Sequence, residues 1–341
     1  MPRRSREDSI RGTVDKLGER GIIDVLRKRL KLLPVSPVPF GDDVAAVLID
    51  GERVAVLKTD MLVDKTDVPA GMNLRQAARK AIVMNVSDFA AKGVQPSAAL
   101  VSLGLPRTVT VDDVDEIARG LNQGAREYGA YVVGGDTGEA SDIVMAVSLY
   151  GTALTSKLML RSGAKPGDVV AVTGVFGRPA AGLRLLTEGC KVSERLQEAL
   201  LDSVFMPKAR LQEGLALAAS GAVTSSIDSS DGLAWSLHEL SKMSGVGFVI
   251  DYVPVADEAK QFAEFCGADV LELALYGGEE YELVVTVKPE SWRDAEKAVE
   301  VVGGRLLRVG RVTQEKEVVL ESDGQKRLIE PRGWEHFKSQ A

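Results

Sequence analysis

The segment GDDVAAVLIDGERVAVLKTD, residues 41–60, decides the fold of the first half of the chain. Two apolar runs flank the pair Asp50-Gly51, and such a pair predicts a β-hairpin because both central positions of a tight turn favour positive φ. With a two-residue loop at that pair, Lys58 lies opposite Asp43. The open end of the hairpin then collects the acidic residues Asp42, Asp43 and Asp60.

The region after the hairpin predicts helices and further strands. A helix is expected from Asn73 to Ala91, because Gln76 completes a capping box and Gly93 supplies a stop. A second helix begins after Thr110, where an apolar face recurs at helical spacing. Residues 131–151 are expected to form a strand, a polar loop that contains Gly-Gly-Asp, and another strand. The first half is therefore predicted to be a sheet covered by helices.

The pattern changes around residues 152–168, which have the turn chemistry of a linker. Beyond them, short apolar strands alternate with helical segments. A length of 341 residues also favours about two domains. We therefore predict a two-domain α/β (α+β) protein with an N-terminal sheet-plus-helices domain, residues 1–152, and a C-terminal mixed α/β domain, residues 153–341.

Composition excludes several classes of function. A net charge of -7 disfavours a nucleic-acid partner, since phosphate binding needs a basic face. Two cysteines, Cys190 and Cys266, are too few for a disulfide framework or a thiolate metal cage. The basic start has no apolar run behind it, and no stretch reaches the roughly 20 apolar residues that span a bilayer. We expect a soluble cytoplasmic protein without a membrane partner, whose metal chemistry uses oxygen ligands.

Six short acidic motifs fall at predicted ends of strands and helices, next to apolar runs. Their carboxylates are expected at the edge of a core, where they repel each other unless cations bind between them. No run of Lys or Arg lies close enough in the sequence to neutralise all of them. The motifs are Gly41-Asp42-Asp43, Thr59-Asp60, Ser87-Asp88, Gly134-Gly135-Asp136, Asp228-Ser229-Ser230-Asp231 and Gly277-Gly278-Glu279-Glu280.

Asp88 is the most informative of these acids, because residues 81–90 are apolar except for Asn85 and Ser87-Asp88. A carboxylate in a buried helix costs free energy unless a cation pairs with it. With carboxylates and hydroxyls as the available ligands, the fitting ion is Mg²⁺ or Mn²⁺. Mg²⁺ commonly binds one or two carboxylates together with substrate phosphates, so the pattern predicts a nucleotide or a phosphate ester as ligand.

Each motif alone also has an ordinary structural interpretation. Gly41-Asp42-Asp43 is typical of a turn, and Ser230 or Asp231 fits the N-cap of the following helix. Six such motifs together favour a metal–phosphate site. The sequence has no Gly-x4-Gly-Lys-Ser/Thr phosphate loop, and no nucleophile elbow accompanies His238 or His336. Phosphoryl transfer suits this composition, because it depends on positioning and charge neutralisation more than on a protein nucleophile.

Taken in order, the motifs resemble those of the thiamine-monophosphate kinase family, within the superfamily of aminoimidazole ribonucleotide synthetases and selenophosphate synthetases. The resemblance covers nearly the whole chain. It implies an N-terminal domain that binds ATP and Mg²⁺ and dimerises through its sheet, and a C-terminal domain that completes the ATP and substrate site. The motifs that carry it are GDDVAAV, KTDMLV, NVSDFAAKG, GGDTGE, RSGAKPGD, IDSSDGL, GGEEYEL and GWEHF.

The resemblance also implies an activity and a set of site residues. The γ-phosphoryl group of ATP would pass to thiamine monophosphate by direct in-line attack, giving thiamine diphosphate, with several Mg²⁺ ions and no protein nucleophile. ATP contacts would be Lys58, Gly135, Arg161 and Ser230. Substrate contacts would be Asp67, Glu279 and Trp334. Metal ligands would be Asp43, Thr59, Asp60, Asp88, Asp136, Asp228 and Asp231.

Two positions depart from the family pattern. Asp67 stands where bacterial relatives commonly carry a substrate-contacting His, and Lys58 stands where a small hydroxyl residue is common. The ammonium group of Lys58 is therefore expected either to accompany the metal ligands or to replace one ion. Two other functions stay open at this point: an ATP-dependent ligase of the same superfamily, and a nucleotide-binding relative without catalysis.

Overall fold

Strands from the two halves of the sequence form two separate sheets in a computed structural model that describes residues 13–337. The basic start of the chain lies outside the described residues. The five-stranded sheet has the order β1-β2-β5-β3-β4 and the seven-stranded sheet the order β12-β11-β8-β10-β6-β9-β7. The predicted α/β class is confirmed. The strands are β1 (Ala45–Asp50), β2 (Arg53–Val63), β3 (Pro96–Leu105), β4 (Tyr131–Glu139), β5 (Val144–Leu154), β6 (Val169–Val172), β7 (Val223–Ser229), β8 (Gly247–Ile250), β9 (Glu282–Val287), β10 (Leu307–Thr313), β11 (Val318–Ser322) and β12 (Gln325–Leu328).

Helices pack on both sheets. Among the described residues, no helix is both long and apolar enough to cross a membrane. The helices are α1 (Val14–Arg27), α2 (Asp64–Asp67), α3 (Leu74–Lys92), α4 (Val111–Glu127), α5 (Arg178–Glu188), α6 (Glu194–Phe205), α7 (Leu211–Ser220), α8 (Leu233–Ser244), α9 (Asp257–Cys266), α10 (Val270–Tyr276) and α11 (Trp292–Val301).

The predicted hairpin forms, but its predicted register is wrong by one residue. The two turn residues are Gly51 and Glu52 and not Asp50 and Gly51, so Asp50 lies opposite Arg53, and a bulge between Leu48 and Asp50 then leaves Ala45 opposite Leu57. A bulge inserts one unpaired residue in a strand, and sequence rules for two-residue turns do not include it. Asp43 therefore precedes β1 in a loop and does not face Lys58 across the hairpin.

The Gly-Gly-Asp motif lies inside strand β4, which corrects the prediction of a loop at this position. Strand β4 is the edge of the sheet and runs parallel to β3. A Cβ atom on Gly135 would lie 1.8 Å from the carbonyl oxygen of Val101. The glycine is therefore required for close backbone approach between the two strands, a reason that local turn signals do not reveal.

Helix α3 is buried on all sides. Its predicted ends are confirmed, because Asn73 and Gln76 form a capping box and Gly93 ends the helix at a φ of 67°. Fifteen of its nineteen residues are buried. Its apolar side chains share one core with the five-stranded sheet and with residues of the second half, such as Leu217 and Val285. The helix thus joins the two halves of the sequence.

The chain forms two compact units that differ from the predicted domains. Residues 36–333 form the larger unit, which contains both sheets. The described part of the smaller unit comprises residues 13–35 and 334–337, and within it Nη1 of Arg20 lies 3.0 Å from Oε2 of Glu335. A domain boundary at residues 152 and 153 stays a prediction.

The two cysteines are too few for a framework, yet they form one disulfide. Cys190 follows helix α5 and Cys266 ends helix α9, and the bond joins positions that are 76 residues apart. Both lie beside a small apolar core that includes Leu196, Leu200 and Phe262. The disulfide therefore fixes the helical layer on the outside of the second sheet.

Replacing Cys190 and Cys266 by Ser is expected to lower the free energy of unfolding by about 2–4 kcal/mol, because the unfolded chain loses a long closed loop. Denaturant titrations with and without reductant measure this difference. Reductant should destabilise the native protein and leave the double variant unchanged. Two free thiols per chain in the non-reduced native protein would contradict the prediction.

Candidate functional site

Three buried carboxylates from distant segments meet in the larger unit. Asp43, Asp88 and Asp228 each offer an oxygen atom, and these atoms lie within 4.8 Å of one another. Asp43 lies in the loop before β1, Asp88 near the carboxyl end of α3, and Asp228 near the end of β7. The structure thus brings these three of the predicted metal ligands together, and we call the three residues the aspartate trio.

Strand β2 adds Lys58 and Asp60 beside the trio. The two side chains share a face because successive residues of a strand point to opposite sides. The Nζ atom of Lys58 lies 2.9 Å from Oδ2 of Asp88 and 3.2 Å from Oδ1 of Asp60. Asp88 therefore has the cationic partner that its burial requires.

Two further cations surround the Gly-Asp-Asp motif. The Nζ atom of Lys92, which is fully buried, lies 2.7 Å from Oδ1 of Asp42 and 2.7 Å from Oδ2 of Asp43. Arg161 donates through Nε to Oδ1 of Asp43 at 2.6 Å, and its backbone N–H donates to Oδ2 of Asp42 at 3.0 Å. The motif is therefore the centre of an ion-pair network and not an isolated turn.

The electrostatics show that negative charge exceeds positive charge at this site. Burial would raise the pKa of Asp43, but Arg161 and Lys92 together hold it below its usual range. Burial raises the pKa of Asp88 well above its usual range, and Asp228 adds to the shift although Lys58 opposes it. Burial and the charge of Asp43 raise the pKa of Asp228 to about 6. Another cation nearby would therefore stabilise the ionised forms of Asp88 and Asp228.

The donor set fits a hard divalent cation. In the part of the chain that the structure describes, the ion pairs around the trio involve the cations Lys58, Lys92 and Arg161. The trio supplies oxygen ligands close enough to share a further ion. Oδ2 of Asp228 accepts a hydrogen bond from Ser87 at 2.7 Å, which fixes the orientation of this carboxylate. Oxygen ligands in this arrangement are those that Mg²⁺ and Mn²⁺ prefer.

Three of the predicted site residues lie away from the trio. The hydroxyl of Thr59 points to the opposite face of β2 from Lys58, and it donates to the carbonyl oxygen of Val147 at 3.1 Å. Gly135 and Asp136 lie on the exposed edge strand β4. Among the described residues, the carboxylate of Asp136 is not part of the cluster that could hold a metal ion.

The turn after β7 contacts the Gly-Gly-Glu-Glu loop. The backbone N–H of Glu279 donates to the carbonyl oxygen of Ser230 at 2.7 Å. Glu279 and Tyr281 have φ values of 65° and 54°, a strained conformation for residues other than glycine. Asp231 lies next to this contact but is not one of the three clustered metal-ligand candidates. Ser230 and Glu279 are thus close neighbours of the trio in the chain fold.

The remaining predicted substrate residues differ in their surroundings. Oδ2 of Asp67 accepts a hydrogen bond from the backbone N–H of Val63 at 2.7 Å, so this carboxylate stabilises the short helix α2. Trp334 belongs to the smaller compact unit and is 38% exposed. Its ring lies edge-on to His336, with 6.1 Å between the ring centroids.

A polar pocket of about 350 Å³ lies beside the Gly-Gly-Glu-Glu loop. Glu279, Glu280 and Glu282 line one part of it, and cationic side chains line another. Arg210 pairs with Glu282, its Nε atom donating to Oε2 at 2.8 Å. The pocket therefore presents both charges, as a site for a ligand with cationic and anionic groups would.

Several residues of the network were not predicted. Lys92 lies four positions after Asp88, so helical spacing places the two residues on the same face and could have predicted that Lys92 belongs to the site. Asp42 was seen as part of a motif but not as a partner of Lys92. Lys80 is only 1% exposed, and no local signal in the sequence predicts its burial.

Comparisons with known proteins agree over nearly the full length. Residues 41–153 match the family model for the N-terminal domain of AIR synthase related proteins, and residues 165–323 match that for the C-terminal domain. The chain is 36% identical to a thiamine-monophosphate kinase of Nitrosopumilus maritimus, covering 95% of this chain and 100% of that protein. It is 38% identical to one of Pyrococcus horikoshii, covering 88% and 91%. A solved structure, AaThiL complexed with AMPPCP and TMP, matches with a TM-score of 0.83 and 32% identity, covering 96% of this chain and all of that chain.

Proposed function

The chain belongs to the family of thiamine-monophosphate kinases, and we propose how its residues support the reaction of that family. The enzyme phosphorylates thiamine monophosphate with ATP, producing thiamine diphosphate and ADP. The observation that carries the proposal is the buried aspartate trio, whose oxygen atoms lie close enough together to hold a divalent cation. The related AaThiL structure, which contains AMPPCP and TMP, supports a site for two phosphate-bearing ligands.

We propose Mg²⁺ as the metal, held by the trio and Asp60. When bound, Mg²⁺ would screen the repulsion between two anionic phosphates, which otherwise opposes direct in-line attack. Ser87 orients the carboxylate of Asp228 through a hydrogen bond, and Lys92 orients that of Asp43 through an ion pair. Thr59, Asp136 and Asp231 stay predicted ligands, without support from the geometry of the described residues.

Lys58 supports the alternative that an ammonium group takes the place of one ion. Its Nζ atom lies between carboxylate oxygens of Asp60 and Asp88, where a shared cation would also lie. Burial opposes its charge, yet Asp88 and Asp60 together raise the pKa of Lys58 above its usual range. We propose that the ammonium is permanently charged and holds these two ligands at a fixed separation before nucleotide binds.

Arg161 is the proposed phosphate contact with the strongest support. Its guanidinium is bonded to Asp43 and lies 3.6 Å from Glu239, so its position is fixed before any ligand arrives. A guanidinium presents several N–H donors in one plane and matches phosphate geometry. Gly135 and Ser230 are proposed as further ATP contacts, and Asp67, Glu279 and Trp334 as substrate contacts.

We propose a homodimer that forms through the open face of the five-stranded sheet. This face carries the exposed apolar side chains of Val47, Leu57, Met61, Leu100 and Tyr150, which lie on neighbouring strands in register. A contiguous apolar patch of this kind marks an interaction surface. The domain boundary near residues 152 and 153 is proposed because the first sheet ends with β5 at Leu154 and the first matched range ends at residue 153, whereas the second range begins at residue 165 and the second sheet at Val169. A cytoplasmic location is proposed because the reaction consumes ATP.

A coupled assay of ADP release tests the function directly. The protein with ATP and Mg²⁺ is offered thiamine monophosphate, thiamine or aminoimidazole precursors in parallel. We expect ADP to form with thiamine monophosphate in equal amount to thiamine diphosphate, and not with the other compounds. ADP release that depends on a formylglycinamidine-type compound would indicate a ligase, and nucleotide binding without turnover would indicate a non-catalytic relative.

A further inference from the structure

Lys80 connects two segments that the proposed function assigns to the substrate. It projects from helix α3, is 1% exposed, and donates to the carbonyl oxygen of Asp67 at 3.1 Å. Its Nζ atom also forms an ion pair with Oε1 of Glu279. One buried ammonium group therefore ties helix α2 to the Gly-Gly-Glu-Glu loop.

The second carboxylate oxygen of Glu279 is different. Oε2 is buried and finds no hydrogen-bond partner among residues 13–337, although Glu279 lines the polar pocket. A buried carboxylate oxygen without a partner costs free energy, so its retention needs an explanation. The positive φ of Glu279 also indicates a functional role for this side chain. Strained backbone conformations persist at sites where a side chain must keep one orientation.

We propose that Lys80 is a positioning residue, which holds Glu279 so that Oε2 accepts a hydrogen bond from the amino group of the substrate's pyrimidine ring. The inference rests on the proposed function. Thiamine monophosphate has one N–H donor, the pyrimidine amino group, since the thiazolium nitrogen is fully substituted. An unpartnered acceptor oxygen therefore selects that group, and the contact distinguishes amino from oxo pyrimidines.

The test compares thiamine monophosphate with oxythiamine monophosphate, in which an oxo group replaces the amino group. For the native enzyme we expect the KM for the oxo compound to be at least about 10-fold higher, because the carboxylate then faces an oxygen. Lys80→Met should reduce this ratio to within about threefold, mainly by raising the KM for thiamine monophosphate. The KM for ATP should change less than about twofold.

Arg79→Met is the matched control, since Arg79 is the adjacent buried cation of α3 but pairs with Glu127 and the carbonyl oxygen of Pro207. It should keep the native ratio, even where it lowers stability. An unchanged ratio in Lys80→Met would overturn the proposal, and so would a native enzyme that uses both compounds equally. A native enzyme that phosphorylates neither compound would refute the proposed function itself.

A second comparison avoids the unpaired buried charge that Lys80→Met leaves behind. Glu279→Gln and the double variant Lys80→Met with Glu279→Gln are measured with the same two compounds. If Lys80 acts through Glu279, the added Lys80 change alters the KM for thiamine monophosphate by less than about twofold. A further increase of about 10-fold would show that Lys80 contacts the substrate directly, which contradicts a positioning role.

Discussion

We expect Asp88→Asn to lower the turnover number by at least about 100-fold. Removing one preorganised electrostatic contact from an active site typically has an effect of this size. Asp88 is the trio member that also pairs with Lys58. The amide removes a charged ligand and leaves the ammonium with Asp60 alone. Both changes weaken cation binding where phosphate charge must be screened.

Steady-state rates across a range of Mg²⁺ concentrations measure this effect, and Mn²⁺ binding followed by calorimetry reports it without turnover. Asp115→Asn is the control, because Asp115 forms only an exposed pair with Arg119 on helix α4. Exposed pairs contribute little, so this control should keep the native rate and affinity. Asp88→Asn at the native rate, with native Mn²⁺ affinity, would exclude the trio as the metal site.

Without divalent ions, the native protein is expected to be more stable at pH 5 than at pH 7.5. The pKa of Asp228 is raised to about 6 in the folded protein from 3.8, so between these values the folded state binds more protons than the unfolded state. The stabilisation is complete below the unfolded pKa and is lost as pH rises through the folded pKa. A shift of this size corresponds to about 3 kcal/mol in full, of which about 1.4 kcal/mol separates pH 5 from pH 7.5. The pKa of Asp43 is lowered, so loss of its stabilisation begins only below pH 4.

Denaturant titrations in a chelating buffer at the two pH values measure this difference. Asp228→Asn should be more stable than the native protein at pH 7.5 and should lose the part of the pH dependence that Asp228 contributes, while Asp88, whose pKa is also raised, keeps a dependence of the same sign. Added Mg²⁺ should stabilise the native protein more at pH 7.5 than at pH 5, because protons and the cation compete for one carboxylate. Equal stability of the native protein at both pH values would refute the assignment.

Local rules predicted the features that depend on a few neighbouring residues. The ends of helix α3 follow from Asn73, Gln76 and Gly93, whose hydrogen bonds and backbone angles are set within one turn. Asp88 was identified because a carboxylate inside an apolar helix needs a partner. The trio's segments were likewise marked by acids at element boundaries.

Features that depend on distant partners could not be predicted in this way. Arg161 reaches Asp43 across 118 positions, and no local pattern selects that pairing over others. The bulge in β1 depends on how the sheet twists, and a shift of one residue changes every opposite pair. Strand β4 continues through Gly135 because it pairs with the parallel strand β3. The Gly-Gly-Asp sequence alone favours a turn, so local rules do not predict this pairing.

Helix α3 has a consequence for synthesis of the protein. Three of its buried cations find partners in the second half of the sequence: Arg79 at Pro207, Lys80 at Glu279 and Lys92 at Ser226. These partners leave the ribosome well after the helix does. In a nascent chain that ends near residue 160, Arg79 and Lys92 can pair with Glu127 and with Asp42 and Asp43, but Lys80 lacks its carboxylate partner Glu279 and the shared apolar core is half covered. We therefore expect helix α3 to complete its packing only after the second half has been synthesised.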